Sequence, residues 1–131
     1  MMRSKKILII DDENVICKGC AMILSEMGYR CDQSLSGADG LKRVMEDSYD
    51  VLLLDMKLKD MDGMKILEKV KKAKPAIYVI VITGYSTVQN AVKAMKLGAN
   101  DYISKPFNED DIIIAVRHAF QTIDDYETTT Q

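Results

Sequence analysis

The chain has 131 residues, which is the size of one compact domain. Lys and Arg number 18 against 20 Asp and Glu, and 47% of the residues are hydrophobic. This composition excludes a disordered or collagen-like chain, and the net charge of −2 gives no reason to expect direct nucleic-acid binding.

The N-terminal apolar run, residues 7–10, is too short for a signal peptide or a membrane span, and acidic residues end it. We therefore expect a cytoplasmic protein with no membrane contact, whose three cysteines are reduced thiols. Cys17 and Cys20 form a lone CxxC inside a helical pattern, with no second pair and no nearby histidine. We interpret them as ordinary helix residues rather than a redox or zinc site.

The apolar pattern alternates between strand-like runs and helical spacing. Strands are predicted at residues 6–10, 29–34, 51–54, 77–82 and 101–103. Helices are predicted through residues 16–27, 41–45, 66–70, 88–95 and 109–121, the fourth from the spacing of Val88, Ala91, Val92 and Met95. Because the strands lack polar alternation, both faces of the sheet should be buried, which favours an α/β fold with a parallel sheet between two layers of helices.

Other features have simpler interpretations. Residues 122–131 are polar and have no apolar stripe, so they are expected to be a frayed terminus or the start of a linker. His118 is interpreted as a surface helix residue. The lysines near the end of the third helix (residues 69, 71, 72 and 74) are interpreted as a solvated helix end, where the helix dipole favours positive charge.

Reactive side chains follow four of the five predicted strands. They are Asp11, Asp12 and Glu13 after the first strand, Asp55 after the third, Thr83 at the end of the fourth and Lys105 after the fifth. Ligands of open parallel sheets bind beyond the carboxyl ends of the strands. We therefore expect these side chains to meet at one edge of the sheet.

The chemistry of this set points to phosphoryl transfer. Two carboxylates about 4 Å apart repel by roughly 4 kcal/mol at an effective dielectric constant near 20, so the acidic cluster needs a cation. Hard oxygen ligands suit Mg²⁺, which binds through one or two carboxylates and a phosphate. Asp55 is then a candidate nucleophile, because carboxylates form aspartyl phosphates, and Thr83 and Lys105 would stabilise the charge. A cluster that only capped a helix would need a single acidic residue.

Four segments carry a family resemblance, in matching order and separation. They are residues 7–13 (ILIIDDE), 54–58 with 61–63 (LDMKL and MDG), 82–85 (ITGY) and 105–107 (KPF). On these segments the chain closely resembles the receiver domain of bacterial two-component response regulators, over residues 4–121. The stretch 83–107 is similar to receivers of NtrC-type transcriptional activators, which drive a separate ATPase module and a DNA-binding module.

This resemblance implies a single flavodoxin-like (βα)5 domain with strand order 2-1-3-4-5. It implies that Asp55 accepts a phosphoryl group from a sensor histidine kinase. It further implies that Mg²⁺ is bound by Asp11, Asp12, Asp55 and the backbone carbonyl of Lys57. Such a domain is a signalling unit that catalyses only its own phosphorylation and dephosphorylation, and it would regulate transcription through a separate output module.

The resemblance also implies a switch. Thr83 and Lys105 would contact the phosphoryl group, Tyr102 would rotate as Thr83 moves inward, and the Lys105–Pro106 bond would be cis. Lys57 and Tyr85 would tune the lifetime of the phosphoryl group. Lys59 departs from the family, in which proline is usual at this position, so the loop after Asp55 is expected to be less rigid.

The output surface is expected on the fourth helix, fifth strand and fifth helix. Ile112, Val116 and Ala119 form a core stripe on the fifth helix. Ile113 and Ile114 widen that stripe beyond what packing on the sheet needs, which predicts a homodimer contact strengthened by phosphorylation.

Other classes of protein fit the residues less well. A flavodoxin needs a phosphate-binding loop after the first strand, where this chain has Asp-Asp-Glu-Asn. A dehalogenase-type phosphatase needs an acid two residues after its nucleophile, where Lys57 stands, and a dinucleotide-binding enzyme needs a GxGxxG motif that the chain lacks. The remaining alternative is a pseudo-receiver, a scaffold for protein interactions that is not phosphorylated.

Overall fold

The structure is a computed structural model that describes residues 5–84 and 86–130. Strands and helices alternate along this part of the chain, as the apolar pattern predicts. The elements are β1 (Lys6–Ile10), α1 (Asn14–Glu26), β2 (Arg30–Ser34), α2 (Gly37–Glu46), β3 (Val51–Leu54), α3 (Gly63–Ala73), β4 (Tyr78–Thr83), α4 (Val88–Lys96), β5 (Asp101–Ser104) and α5 (Glu109–Thr130). No helix in the described ranges is both long and apolar enough to cross a membrane.

The five strands form one parallel sheet in the order β2-β1-β3-β4-β5, which confirms the predicted flavodoxin-like topology. In the register of the sheet, Ile10 at the end of β1 lies between Ser34 of β2 and Leu54 of β3. Three strands therefore end side by side, at the edge where the reactive residues follow.

The core consists of two layers, one on each face of the sheet. Alternate residues of the central strands point to opposite faces, and all side chains of β3 and β4 are buried. One layer packs the sheet against α1 and α5, and the other packs it against α2, α3 and α4. This burial on both faces explains the continuous apolar runs of the sequence.

The fourth helix forms where predicted, but its apolar stripe does not face the core. Val88 is 81% exposed, and Val92 and Met95 are each 46% exposed. The helix instead buries Ala94, because a small side chain on the inner face lets the helix approach the sheet closely. The spacing therefore predicted the helix correctly, but the apolar side chains that carry the spacing form an exposed surface on α4.

The fifth helix continues beyond its predicted end at Gln121 and reaches Thr130. Ile123 packs against the core layer of α1 and α5, and the Asp124 carboxylate lies 3.7 Å from the Lys5 ammonium. These two contacts stabilise α5 beyond Gln121. The role of residues 122–131 as the start of a linker stays a prediction.

One lysine of the basic stretch is not solvated as predicted. Lys71 is partly buried, and its ammonium donates hydrogen bonds to the carbonyls of Ile77 at 2.5 Å and Pro75 at 3.5 Å. Burial lowers the pKa of Lys71. The Lys71 side chain thus stabilises the turn between α3 and β4. His118, which lies on α5, is exposed as expected.

Candidate functional site

The sheet ladder continues one residue beyond three of its strands, and this fixes where the reactive residues lie. The Asp11 amide donates to the Ser34 carbonyl at 3.1 Å, and the Asp55 amide donates to the Ile10 carbonyl at 2.9 Å. Likewise the Lys105 amide donates to the Thr83 carbonyl at 2.9 Å. The backbone of each residue is therefore held rigidly at the carboxyl edge of the sheet.

The structure brings the three predicted carboxylates together. Asp11, Asp12 and Asp55 each offer an oxygen, and these oxygens lie within 4.8 Å of one another. Asp11 is fully buried, Asp55 is 4% exposed and Asp12 is partly exposed. Three hard oxygen donors with one open side match the ligand preference of Mg²⁺.

Lys105 extends across the acidic cluster from the end of β5. Its Nζ lies 2.7 Å from Asp11 Oδ2, 3.1 Å from Glu13 Oε2 and 3.3 Å from Asp55 Oδ2. Burial by itself would lower the pKa of Lys105, but the hydrogen bond and charge of Asp11, together with Asp55 and Glu13, raise it overall. Lys105 therefore stays protonated at neutral pH.

The cluster retains an excess of negative charge. Burial raises the pKa of Asp11 above its ordinary value, and the contacts with Lys105 and the Glu13 amide offset only part of this effect. Asp11 Oδ2 is buried, and the Lys105 ammonium lies 2.7 Å from it. The Lys105 ammonium contacts three carboxylates, those of Asp11, Glu13 and Asp55, with Asp12 beside them, and an added divalent cation fits this set of residues.

The Asp55 carboxylate is held at both oxygens. Oδ1 accepts a hydrogen bond from the Lys57 amide at 3.1 Å, and Oδ2 faces Lys105. Gly63 lets α3 begin directly against this strand end, since a Cβ there would lie 2.5 Å from Met56 Cα and 2.6 Å from the Asp55 carbonyl oxygen. The glycine of the Met-Asp-Gly segment is thus required by close packing behind Asp55.

The loop between β3 and α3, residues 55–62, is tied to its surroundings by three anchors. The Lys59 amide donates to Asp12 Oδ2 at 2.9 Å. The Asp60 carboxylate accepts from the amides of Gly37 and Ala38 at the start of α2, at 2.8 and 3.0 Å. At its other end, Asp62 caps α3 by accepting from an amide of the first turn.

Thr83 and Tyr102, the predicted switch pair, lie on the neighbouring strands β4 and β5. Thr83 is fully buried, whereas Tyr102 is partly exposed and packs against the core layer of α2, α3 and α4. The Lys105–Pro106 bond is cis, as expected. Tyr85, expected beside the phosphoryl group, lies outside the described residues.

Two contacts of the site were not predicted from the sequence. The Cys17 thiol donates to the Asp11 carbonyl at 3.2 Å, and the Lys59 amide donates to Asp12. Glu13, which was expected at this edge with the acidic pair, contacts Lys105. Glu13 follows the acidic pair directly, and its position was a usable signal. The replacement of the usual proline by Lys59 was a second signal, because it restores an N–H, but nothing in the sequence indicated the thiol contact.

Similarity to known proteins agrees with this geometry. The family model described as "Response regulator receiver domain" matches residues 7–117. An NtrX-like response regulator of Rickettsia bellii (strain RML369-C) is 40% identical over 115 residues, which cover 86% of this chain and 24% of that protein. The transcriptional regulatory protein ZraR of Escherichia coli (strain K12) is 38% identical over 106 residues, covering 81% of this chain and 24% of that protein.

A solved structure supports the same assignment. A CheY-like receiver domain protein from Methanospirillum hungatei JF-1 has a TM-score of 0.89 at 32% identity, over 97% of this chain and 99% of that one. This chain spans about a quarter of the length of the NtrX-like and ZraR relatives. The chain belongs to the response regulator receiver domain family, the signalling domain of two-component systems, and its relatives include transcriptional regulators of the NtrX and ZraR kind.

Proposed function

We propose that this chain accepts a phosphoryl group on Asp55 from the phosphohistidine of a sensor kinase, and that phosphorylation changes the conformation of its α4–β5–α5 face. The observation that carries the proposal is the environment of Asp55. Its nearly buried carboxylate lies 3.3 Å from an ammonium and within 4.8 Å of the carboxylate oxygens of Asp11 and Asp12. A nucleophile, a fixed positive charge and a cation site therefore meet at one point.

The transfer is a displacement at phosphorus. A carboxylate oxygen of Asp55 forms a bond to phosphorus, and the bond between phosphorus and the histidine nitrogen breaks. The electron pair stays on the imidazole nitrogen, and the kinase histidine leaves as the neutral side chain after taking up a proton from solvent. The product on this chain is an acyl phosphate, and its hydrolysis by water returns Asp55 and inorganic phosphate.

The protein contributes position and charge to this reaction. Lys105 would pair with the phosphoryl oxygens in place of Asp55 Oδ2, and its raised pKa keeps it charged. Mg²⁺, when bound by Asp11, Asp12, Asp55 and the Lys57 carbonyl, would neutralise the charge between the carboxylates and the phosphoryl group.

The conformational response would pass through Thr83 and Tyr102. The Thr83 hydroxyl moves toward the new phosphoryl oxygens and leaves space at the end of β4, and Tyr102 turns inward from the adjacent strand. This is a shift between two states that exist before phosphorylation. The exposed apolar side chains of α4 and Ile114 of α5 lie on the face that would respond.

The partners follow from this function. They would be a sensor histidine kinase, a second copy of the chain through the α4–β5–α5 face, and output ATPase and DNA-binding modules where the receiver is part of a longer regulator. The lengths of the NtrX-like and ZraR relatives, of which this chain matches about a quarter, support such an arrangement.

Intact-mass spectrometry after incubation with acetyl phosphate tests the proposal. We expect one added phosphate on the wild-type chain, dependent on Mg²⁺ and absent from Asp55→Asn. Phosphate addition to Asp55→Asn at the wild-type rate would contradict the acceptor assignment. A folded wild-type chain that binds no Mg²⁺ and gains no mass from acetyl phosphate would favour the pseudo-receiver alternative.

A further inference from the structure

The Asp12 carboxylate is held by a main-chain group from a distant loop. Its Oδ2 accepts a hydrogen bond from the Lys59 amide at 2.9 Å, a contact between residues 47 positions apart. Asp12 lies in the loop after β1, and Lys59 lies in the loop after β3. The bond joins the loop of the acidic pair to the loop of the acceptor.

We propose that the Lys59 amide is a positioning group that orients Asp12 as a ligand of the divalent cation. The inference rests on the proposed function, since it concerns the cation site of that function. A partly exposed carboxylate can rotate about its last bond, and an N–H bound to one oxygen stops that rotation. Partners of ligating carboxylates hold them in the orientation that the metal requires, and removing such a partner costs tenfold to a hundredfold in affinity.

The loop around Lys59 is itself fixed, so the amide needs little ordering to reach Asp12. On one side the Lys57 amide is bonded to Asp55, and on the other side Asp60 is anchored on the first amides of α2. The Lys59 side chain is exposed. The described contact with Asp12 therefore belongs to the backbone and not to the ammonium.

The residue type at position 59 decides whether this contact exists. Proline has no N–H and could not donate to Asp12, whereas every other amino acid could. Lysine at position 59 therefore gives Asp12 a hydrogen bond that proline at this position would remove.

Mg²⁺ affinity measured by isothermal titration calorimetry on two variants tests the inference. Lys59→Pro removes both the N–H and the ammonium, and Lys59→Ala removes only the ammonium, so the alanine variant is the matched reference. We expect Lys59→Pro to bind Mg²⁺ about tenfold or more weakly than Lys59→Ala. Equal affinity of the two variants, with Mg²⁺ bound by the wild type, would overturn the inference and leave the proposed function standing. Absence of Mg²⁺ binding by the wild type would overturn both.

Amide hydrogen exchange of the wild-type chain gives a second readout that does not depend on the proline variant folding. We expect the Lys59 amide to be protected without metal, to stay protected at saturating Mg²⁺, and to lose its protection in Asp12→Ala. Loss of protection when Mg²⁺ binds would show that the metal breaks the bond, and this result would overturn the inference.

Discussion

Lys105 and Asp11 form an ion pair across the carboxyl ends of β5 and β1, with 2.7 Å between Nζ and Oδ2. The side chain of Asp11 is fully buried, and that of Lys105 is 13% exposed. Both charged groups are therefore largely removed from water. The pair therefore links the stability of the domain to its cation site.

Replacing Lys105 with methionine should destabilise the metal-free protein by about 3 kcal/mol, because it leaves the buried Asp11 carboxylate without its partner. Saturating Mg²⁺ should restore part of this loss, since the cation then supplies positive charge. The free energy of unfolding from urea titrations, with and without Mg²⁺, measures both effects. Lys72→Met is the control, because Lys72 is exposed and its ion pair with Glu68 is long, at 4.0 Å, and should contribute little to stability. Equal effects of the two substitutions would contradict the buried pair.

The buried thiols of α1 predict how stability changes at alkaline pH. Burial raises the pKa of Cys17 to about 11 and that of Cys20 to about 12, from an ordinary value of 9.0. Between pH 9 and 11 the unfolded chain loses these protons and the folded chain keeps them. The free energy of unfolding should therefore fall as the pH rises, by up to about 1.4 kcal/mol per pH unit for each thiol.

The raised pKa of Lys105 adds to this fall only above its ordinary value of 10.5, so a cysteine variant isolates the thiols. Replacing both Cys17 and Cys20 with alanine should reduce the slope between pH 9 and 10, and the remaining slope there includes Cys31, whose pKa is also raised by burial. An unchanged slope in that variant would argue against thiols that stay protonated in the fold.

Strand positions and the edge at which they end could be predicted because buried parallel strands leave uninterrupted apolar runs. The acidic pair, Asp55 and Lys105 converge as expected because each follows the end of such a run, and Thr83 lies at the end of β4, where its carbonyl accepts from the Lys105 amide. Which side of α4 packs on the core could not be predicted, because the helical spacing of Val88 and Val92 is the same whether these side chains face the core or the solvent. The contact of the Cys17 thiol with the Asp11 carbonyl was also hidden, because a small thiol inside a helical pattern has no sequence signature of its own.

The exposed apolar side chains of α4 and α5 predict a dimer of the phosphorylated state. Ile114 is 66% exposed, and Ile114→Asp should abolish dimers formed after beryllofluoride treatment, which mimics the aspartyl phosphate. Sedimentation equilibrium measures the association. Met22→Asp on α1 is the control, because Met22 is 62% exposed but lies on a different helix from the predicted contact. Dimers of wild-type strength in Ile114→Asp would contradict this interface.

Lys57 is predicted to prolong the life of the phosphoryl group. Its exposed side chain lies two residues after Asp55, where it would limit the approach of water to a phosphoryl group. Lys57→Ala should hasten dephosphorylation severalfold, measured by the decay of the phosphorylated mass after acetyl phosphate is removed. The main-chain carbonyl at position 57 is unchanged by this substitution. Lys65→Ala, an exposed lysine on α3, is the control, and matching decay rates would refute the role of Lys57.

Locating the phosphoryl group chemically tests the assignment of Asp55 as the acceptor. Borohydride reduces an acyl phosphate of aspartate to homoserine, and peptide sequencing by mass spectrometry then identifies the position. After treatment with acetyl phosphate and Mg²⁺, we expect homoserine at position 55 and unmodified aspartate at positions 11 and 12. Homoserine at position 11 or 12, or a phosphorylated chain that yields no homoserine at position 55, would contradict the assignment of Asp55 as the acceptor.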